Sequence, residues 1–221
     1  MKKAVIFDLD DTLISELQYI ESGYRYIAEY LSEELEISGA SIFNLLINLF
    51  RESSKNVFNR LYDYVGLSYD ESKIRSLVNL YRDHNPNINF FEDVIPFINT
   101  LKLNRIKTGI ITDGYKVSQR KKLTAIQAYD YFDEIIVTDE IGKEYWKPHP
   151  KSFEIMSKRL KVEYEDMIYI GDNPAKDFYI SNIYPIDTVR IIRDEGVHKN
   201  NQYYKEIREL YCVTSLEELK I

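Results

Sequence analysis

Short runs of β-branched and aromatic residues recur along the chain, and most of them stop at a polar group. Ala4-Val5-Ile6-Phe7 leads into Asp8, Lys107–Thr112 into Asp113-Gly114, and Met167–Ile170 into Gly171-Asp172. Glu134–Thr138 leads through a loop to Lys147-Pro148, and Thr188–Ile192 is a fifth run. Continuous apolar runs of this length are characteristic of strands buried on both faces. Helical stretches separate them at 94–103, 117–126, 152–160, 175–183 and 203–210. Strands alternating with helices predict an α/β fold: a parallel sheet with helices on both faces.

One block breaks this rhythm. Between Ile14 and Asn89 no strand-like run occurs. Leu17, Ile20, Tyr24, Ile27, Leu31 and Leu35 fall three or four apart, marking one face of a helix. Ile42–Phe50 reads as a second, largely buried helix. Val57, Phe58, Leu61, Tyr62 and Val65 make a third, stopped by Gly66, and Ile74, Leu77, Val78 and Tyr81 a fourth. His84-Asn85-Pro86-Asn87 then breaks the chain. The expected organisation is an α/β core of residues 1–13 and 91–221, with an all-α insert at 14–90.

Composition narrows the function. With 29 Lys and Arg against 36 Asp and Glu, the formal charge is −7, which argues against general nucleic-acid binding. No apolar run approaches the roughly 18 residues of a membrane span, and Asp8 and Asp10 interrupt the N-terminal apolar stretch, so it is not a secretory signal. The single cysteine, Cys212, excludes an internal disulfide framework and a cysteine-based zinc site. Cys212 reads as a strand residue beside Val213. The expectation is a cytoplasmic protein with neither a membrane nor a nucleic-acid partner.

Parallel α/β sheets bind ligands at the carboxyl ends of their strands. The residues there are Asp8, Asp10, Thr112, Asp113, Lys147, Asp172 and Asp177. Asp8 and Asp10, two apart on extended backbone, point the same way. Clustered carboxylates repel unless a cation neutralises them. All-oxygen ligation with incomplete protein coordination suits Mg²⁺. Lys147 offers a compact positive charge to a phosphoryl oxygen. Thr112 and the backbone N–H groups of Asp113-Gly114 offer further donors.

Asp8-Leu9-Asp10-Asp11-Thr12-Leu13, Ile111-Thr112, Lys147-Pro148 and Gly171-Asp172-Asn173-Pro174-Ala175-Lys176-Asp177 resemble, in order, the four motifs of the haloacid dehalogenase-like (HAD) hydrolase superfamily. The insert falls where one branch carries a helical cap. The resemblance implies a Rossmann-like core under an α-helical cap. It implies Asp8 as nucleophile, through an aspartyl-phosphate, and Asp10 as general acid and base. Mg²⁺ would be held by the Asp8 side chain, the Asp10 backbone carbonyl and Asp172, with Asp177 steadying Lys147 or a metal-bound water. Thr112, Asp113 and Lys147 would hold the phosphoryl oxygens. The dehalogenases of the family generally lack an acid two residues after the nucleophile, because halide leaves without a proton. Asp10 therefore favours phosphate esters, and a capped site favours a small phosphorylated metabolite, a sugar phosphate or a nucleotide. The competing readings are a phosphomutase of the same superfamily and a phospho-accepting signalling module. Glu16, Gln18 and Tyr19 are candidate pocket residues. His84 and His198 are expected in solvent, and His149 beside a helix start.

Overall fold

The computed structural model describes residues 2–194, 196–197 and 202–219. Its elements, in chain order, are β1 (Ala4–Phe7), α1 (Glu16–Leu35), α2 (Gly39–Glu52), α3 (Val57–Val65), α4 (Glu71–Asp83), α5 (Val94–Leu103), β2 (Lys107–Thr112), α6 (Lys116–Ala125), β3 (Glu134–Val137), α7 (Lys151–Leu160), β4 (Met167–Gly171), β5 (Asp187–Ile191) and β6 (Tyr211–Val213), with short 3₁₀ turns between them. The chain divides into two compact units, Met1–Leu17 with Ile88–Ile221, and Gln18–Asn87.

The first unit is built on a parallel six-stranded sheet of order β3-β2-β1-β4-β5-β6. This is a Rossmann-like α/β arrangement. β1 is central, with Phe7 opposite Ile110 of β2 on one side and Ile170 of β4 on the other. Side chains alternate across the sheet. Ala4 and Ile6 join Phe153, Met156 and Leu160 of α7 on one face. Phe7 meets Phe97 of α5 edge-on at 6.2 Å on the other. Each fully buried aliphatic or aromatic side chain contributes about 1.5–3 kcal/mol. β2 carries Gly109 where α7 comes closest: a Cβ there would lie 2.7 Å from Met156 Sδ.

The second unit is all helix among the described residues. Ile20, Tyr24, Ile27, Leu31 and Leu35 form the buried stripe of α1, and Leu46, Leu61 and Leu77 are fully buried in the same core. Ser38 caps α2 by accepting from Ser41 N, and Asp70 caps α4 by accepting from Lys73 N at 2.8 Å. Gly66 ends α3 at φ +72°, a left-handed conformation that glycine adopts without a Cβ clash. α2 buries Ile42, Leu46, Ile47 and Leu49 and leaves its other apolar residues half-buried or more open.

Three local expectations need correction. His84 is buried, not solvated: its Nδ1–H donates to Tyr81 O (2.6 Å) and its Nε2 accepts from Ser22 Oγ (3.2 Å). No helix forms over 175–183. Asp177 is drawn inward to polar partners, and only a 3₁₀ turn, Tyr179–Asn182, follows. At 203–210 the helix is a single 3₁₀ turn, because Lys205 has φ +50° and Leu210 N already donates to Thr188 O at the start of β6. Cys212 lies in β6, as expected, and His198 lies outside the described residues. No helix among the described residues is long and apolar enough to cross a membrane.

Asp93, at the start of α5, ties distant parts of the first unit together. It accepts two hydrogen bonds from Arg193 (2.7 and 2.9 Å), one from Leu216 N (2.8 Å) and one from Ser215 Oγ (3.1 Å). Arg193 also donates to Thr12 O. Burial alone would raise the Asp93 pKa, but the Arg193 guanidinium outweighs it and holds the carboxyl below its ordinary 3.8. Its stabilisation is therefore present above that value and is lost as pH falls through the lowered folded-state pKa. Asp93→Asn should cost about 3 kcal/mol at pH 7. In urea unfolding, the gap between wild type and variant should narrow as the pH is taken below 4.

Candidate active site

Adjacency in a parallel sheet brings the strand ends together. The chain runs outward from β1 through β2 to β3, then returns to β4 on the other side of β1. The strand order thus reverses between β1 and β4, the place where such sheets bind ligands. Asp8 follows β1, with its backbone N–H on Ile170 O (2.8 Å). Asp172 follows β4. Thr112 ends β2, and Asp113 comes next. A cavity of about 280 Å³ opens at this edge, lined by Asp8, Asp10, Glu16, Asp113, Gly114, Trp146, Lys147, Asp172, Asn173 and Lys176.

Lys147 is the centre of the polar network. Its ammonium donates to Asp8 Oδ1 (2.6 Å), the Tyr169 hydroxyl (2.7 Å) and Asp177 Oδ1 (2.8 Å). The Tyr169 hydroxyl in turn donates to Asp177 Oδ1 (3.1 Å). Asp177 Oδ2 accepts from Asn173 N (2.9 Å). Gly171 leaves room for this: a Cβ there would stand 2.6 Å from Asp177 Oδ2. Burial works against the Lys147 charge, yet Asp177 and Asp8 hold its pKa above the ordinary lysine range. Burial likewise disfavours the Asp8 carboxylate, but Lys147 and Lys176 outweigh it and lower its pKa.

Asp172 faces the opposite environment. It is buried, and among the described residues none donates a hydrogen bond to its carboxylate. Burial, then Asp177 and Asp8, push its pKa well above the carboxylate range. Ligand oxygens of Asp8, Asp172 and Asp177 lie within 4.8 Å of one another. Hard oxygen donors around a buried, unsatisfied carboxylate fit Mg²⁺, with waters completing the shell.

Asp10 is held from α6. Its Oδ1 accepts from Lys122 Nζ (2.6 Å) and its Oδ2 from Gln119 Nε2 (2.9 Å). Gln119 Nε2 also donates to Thr112 Oγ1 (2.6 Å) and Asp113 O (2.8 Å). Thr112 is fully buried behind the cavity wall. Asp113 Oδ1 accepts from Thr138 Oγ1 (2.7 Å) and Lys147 N (3.1 Å), which ties the loop after β2 to the loop before α7. His149 accepts from Lys151 N at the start of α7, in the helix-start position expected of it.

The predicted residues Asp8, Asp10, Asp113, Lys147 and Asp172 therefore share one cavity. Thr112 and Asp177 stand directly behind it, and Glu16 lines it. The sequence reading gave no site role to Tyr169, Gln119, Lys122, Trp146 or Lys176. Gln119 and Lys122 lie three apart on one face of α6, a helix that follows a strand end, so both side chains can reach the same edge. Tyr169 carries no such signal, since it sits inside an apolar strand.

The sequence matches the family model for haloacid dehalogenase-like hydrolases over residues 5–191. It is 28% identical to the glyceraldehyde 3-phosphate phosphatase of Methanocaldococcus jannaschii, over 99% of this chain and 96% of that protein. It is 32% identical to the glyceraldehyde 3-phosphate phosphatase of Methanopyrus kandleri, over 87% of this chain and 85% of that protein. The fold superimposes on a HAD phosphatase from Thermococcus onnurineus with a TM-score of 0.62 at 26% identity, covering 98% of this chain and 95% of that one.

A buried carboxylate without a donor implies a direct test. Without divalent cations, Asp172→Asn should be at least as stable as wild type, because it removes a buried like charge. Mg²⁺ at a hundredfold excess over its dissociation constant should stabilise wild type by about 2.7 kcal/mol and leave Asp172→Asn almost unmoved. Thermal unfolding with and without Mg²⁺ reads both effects.

Proposed function

Given that the chain belongs to the haloacid dehalogenase-like hydrolases, we propose that it is a Mg²⁺-dependent phosphatase that hydrolyses a small phosphorylated metabolite through an aspartyl-phosphate on Asp8. The observation that carries this reading is the pairing of Asp8 and Asp10 in one cavity, with each carboxylate held by a different lysine. Lys147 occupies Asp8 Oδ1, which leaves Oδ2 for attack.

Asp8 Oδ2 forms a bond to phosphorus as the ester P–O bond breaks, and Asp10, entering the cycle in its protonated form, gives that proton to the departing oxygen. Asp10 then takes a proton from the water that attacks the aspartyl-phosphate. Inorganic phosphate leaves and the Asp8 carboxylate is restored. The oxygens of Asp8 and Asp172 and the backbone carbonyl of Asp10 would hold Mg²⁺, whose charge offsets the repulsion between an anionic nucleophile and a phosphate. Asp177 fixes Lys147. Lys147 adds positive potential where the phosphoryl oxygens collect and the backbone of Asp113-Gly114 adds N–H donors, while Thr112, buried behind the wall, holds Gln119 beside Asp10 instead of meeting the phosphoryl group itself. The helical segment, 14–90 in the sequence reading, serves as the cap that selects the substrate. The names of the two archaeal relatives make glyceraldehyde 3-phosphate the first substrate to try.

Phosphate release should be measured over a panel of small phosphate esters with Mg²⁺. EDTA and Asp8→Asn should each abolish it. Activity surviving in Asp8→Asn would refute the nucleophile assignment, and substrate loss without free phosphate would favour a mutase. Asp10→Asn should lower turnover of alkyl phosphates by roughly 10²–10⁴-fold. The loss should be smaller on p-nitrophenyl phosphate, whose leaving group departs without a proton.

A further inference from the structure

The Lys147 ammonium has three N–H groups, and Asp8, Tyr169 and Asp177 take all three at 2.6–2.8 Å. Its side chain has no exposed surface. A phosphoryl oxygen arriving in the cavity would find no N–H of Lys147 to accept from unless one of these bonds broke. A second ammonium stands at the same place. Lys176 lines the cavity with Asp8, Asp10 and Gly114, and its side chain is 25% exposed. Its Nζ lies 3.9 Å from Asp8 Oδ2 and 3.8 Å from Asp113 Oδ2. These distances give Coulomb attraction but lie beyond hydrogen-bond range. Among the described residues none accepts a hydrogen bond from that ammonium.

We propose that Lys176 is a further catalytic residue, which donates its N–H groups to a non-bridging oxygen of the transferring phosphoryl group, adding to the positive potential of Lys147, whose own N–H groups hold Asp8, Tyr169 and Asp177. The proposal rests on the phosphatase reading. The division follows from the two oxygens of Asp8: Oδ1 belongs to Lys147, and Oδ2, the oxygen free to attack, is the one Lys176 faces. Phosphorus approaching Oδ2 brings its non-bridging oxygens alongside the Lys176 ammonium. Lys176 forms and breaks no covalent bond. It gives charge-assisted hydrogen bonds, which strengthen as negative charge gathers on those oxygens. An arginine presents the same charge and more donors, so it retains the function where a neutral amide does not.

The test uses the full chain with saturating Mg²⁺, p-nitrophenyl phosphate as substrate, and inorganic phosphate and orthovanadate as inhibitors. Lys176→Gln should raise the inhibition constants of both anions and the KM by roughly tenfold or more, with a further loss in kcat. Lys176→Arg should recover most of each. Thermal unfolding separates binding from folding. A Lys176→Gln protein that melts like wild type, with phosphate inhibition unchanged, overturns the proposal. So does a Lys176→Arg protein as impaired as Lys176→Gln, since charge and donors would then not be what matters. Should Lys176→Gln not fold, Lys176→Arg and Lys176→Met, read by phosphate inhibition, decide in the same way. Wild type releasing no phosphate from any ester on the panel refutes the phosphatase reading itself. An active wild type with an indifferent Lys176→Gln refutes only the role of Lys176.

Discussion

One ammonium group, that of Lys147, keeps the carboxylates at the end of β1 and β4 from driving each other apart. Asp8 and Asp177 are both buried, and each bonds the same nitrogen. Without that cation the two acids would face each other in a low-dielectric rim, where like charges are costly to keep. Tyr169 and the N–H of Asn173 complete the coordination of Asp177. The loop before α7, the end of β4 and the end of β1 are thereby fixed to one another. The cavity wall has its shape because this cluster does.

The same rim gives two neighbouring acids opposite characters. Asp8 has a bonded lysine and a second one nearby, and it stays an anion below its ordinary range. Asp172 has burial and two like charges, which push its pKa well up. That contrast suits the roles proposed for them, Asp8 as nucleophile and Asp172 as a ligand to a cation. The division follows from which acid the lysines reach.

The strands were legible because burial on both faces demands uninterrupted apolar runs, and β1, β2 and β4 match the runs read from the residues closely. That Asp8, Asp10 and Asp172 would meet was legible because a parallel sheet brings its strand ends to one edge, and they do line one cavity there. Where the reading failed, a tertiary contact overruled local pattern. His84 looked solvated amid polar neighbours, but Ser22, distant in sequence, draws it inside. The stretch after Pro174 has the apolar spacing of a helix, but Asp177 turns inward to a lysine thirty residues away. Tyr169 was invisible for the converse reason: an aromatic in an apolar strand reads as core, and only its hydroxyl, aimed at Lys147, says otherwise. Gln119 and Lys122 sit among basic and polar helix residues that differ from them in orientation alone.

Ile14 and Phe90 pair across an isolated antiparallel bridge, and Phe91 N donates to Leu13 O. The helical segment is thus spliced into the first unit at two points held side by side. Closing so long an excursion costs the sheet little conformational entropy once its ends are pinned together. The splice can then accept helical segments of other lengths and sequences while the strands beneath keep their register. If the helical unit selects the substrate as proposed, divergence in what is recognised can proceed at a different pace from divergence in the chemistry, as with a tool whose bit is changed and whose motor is kept.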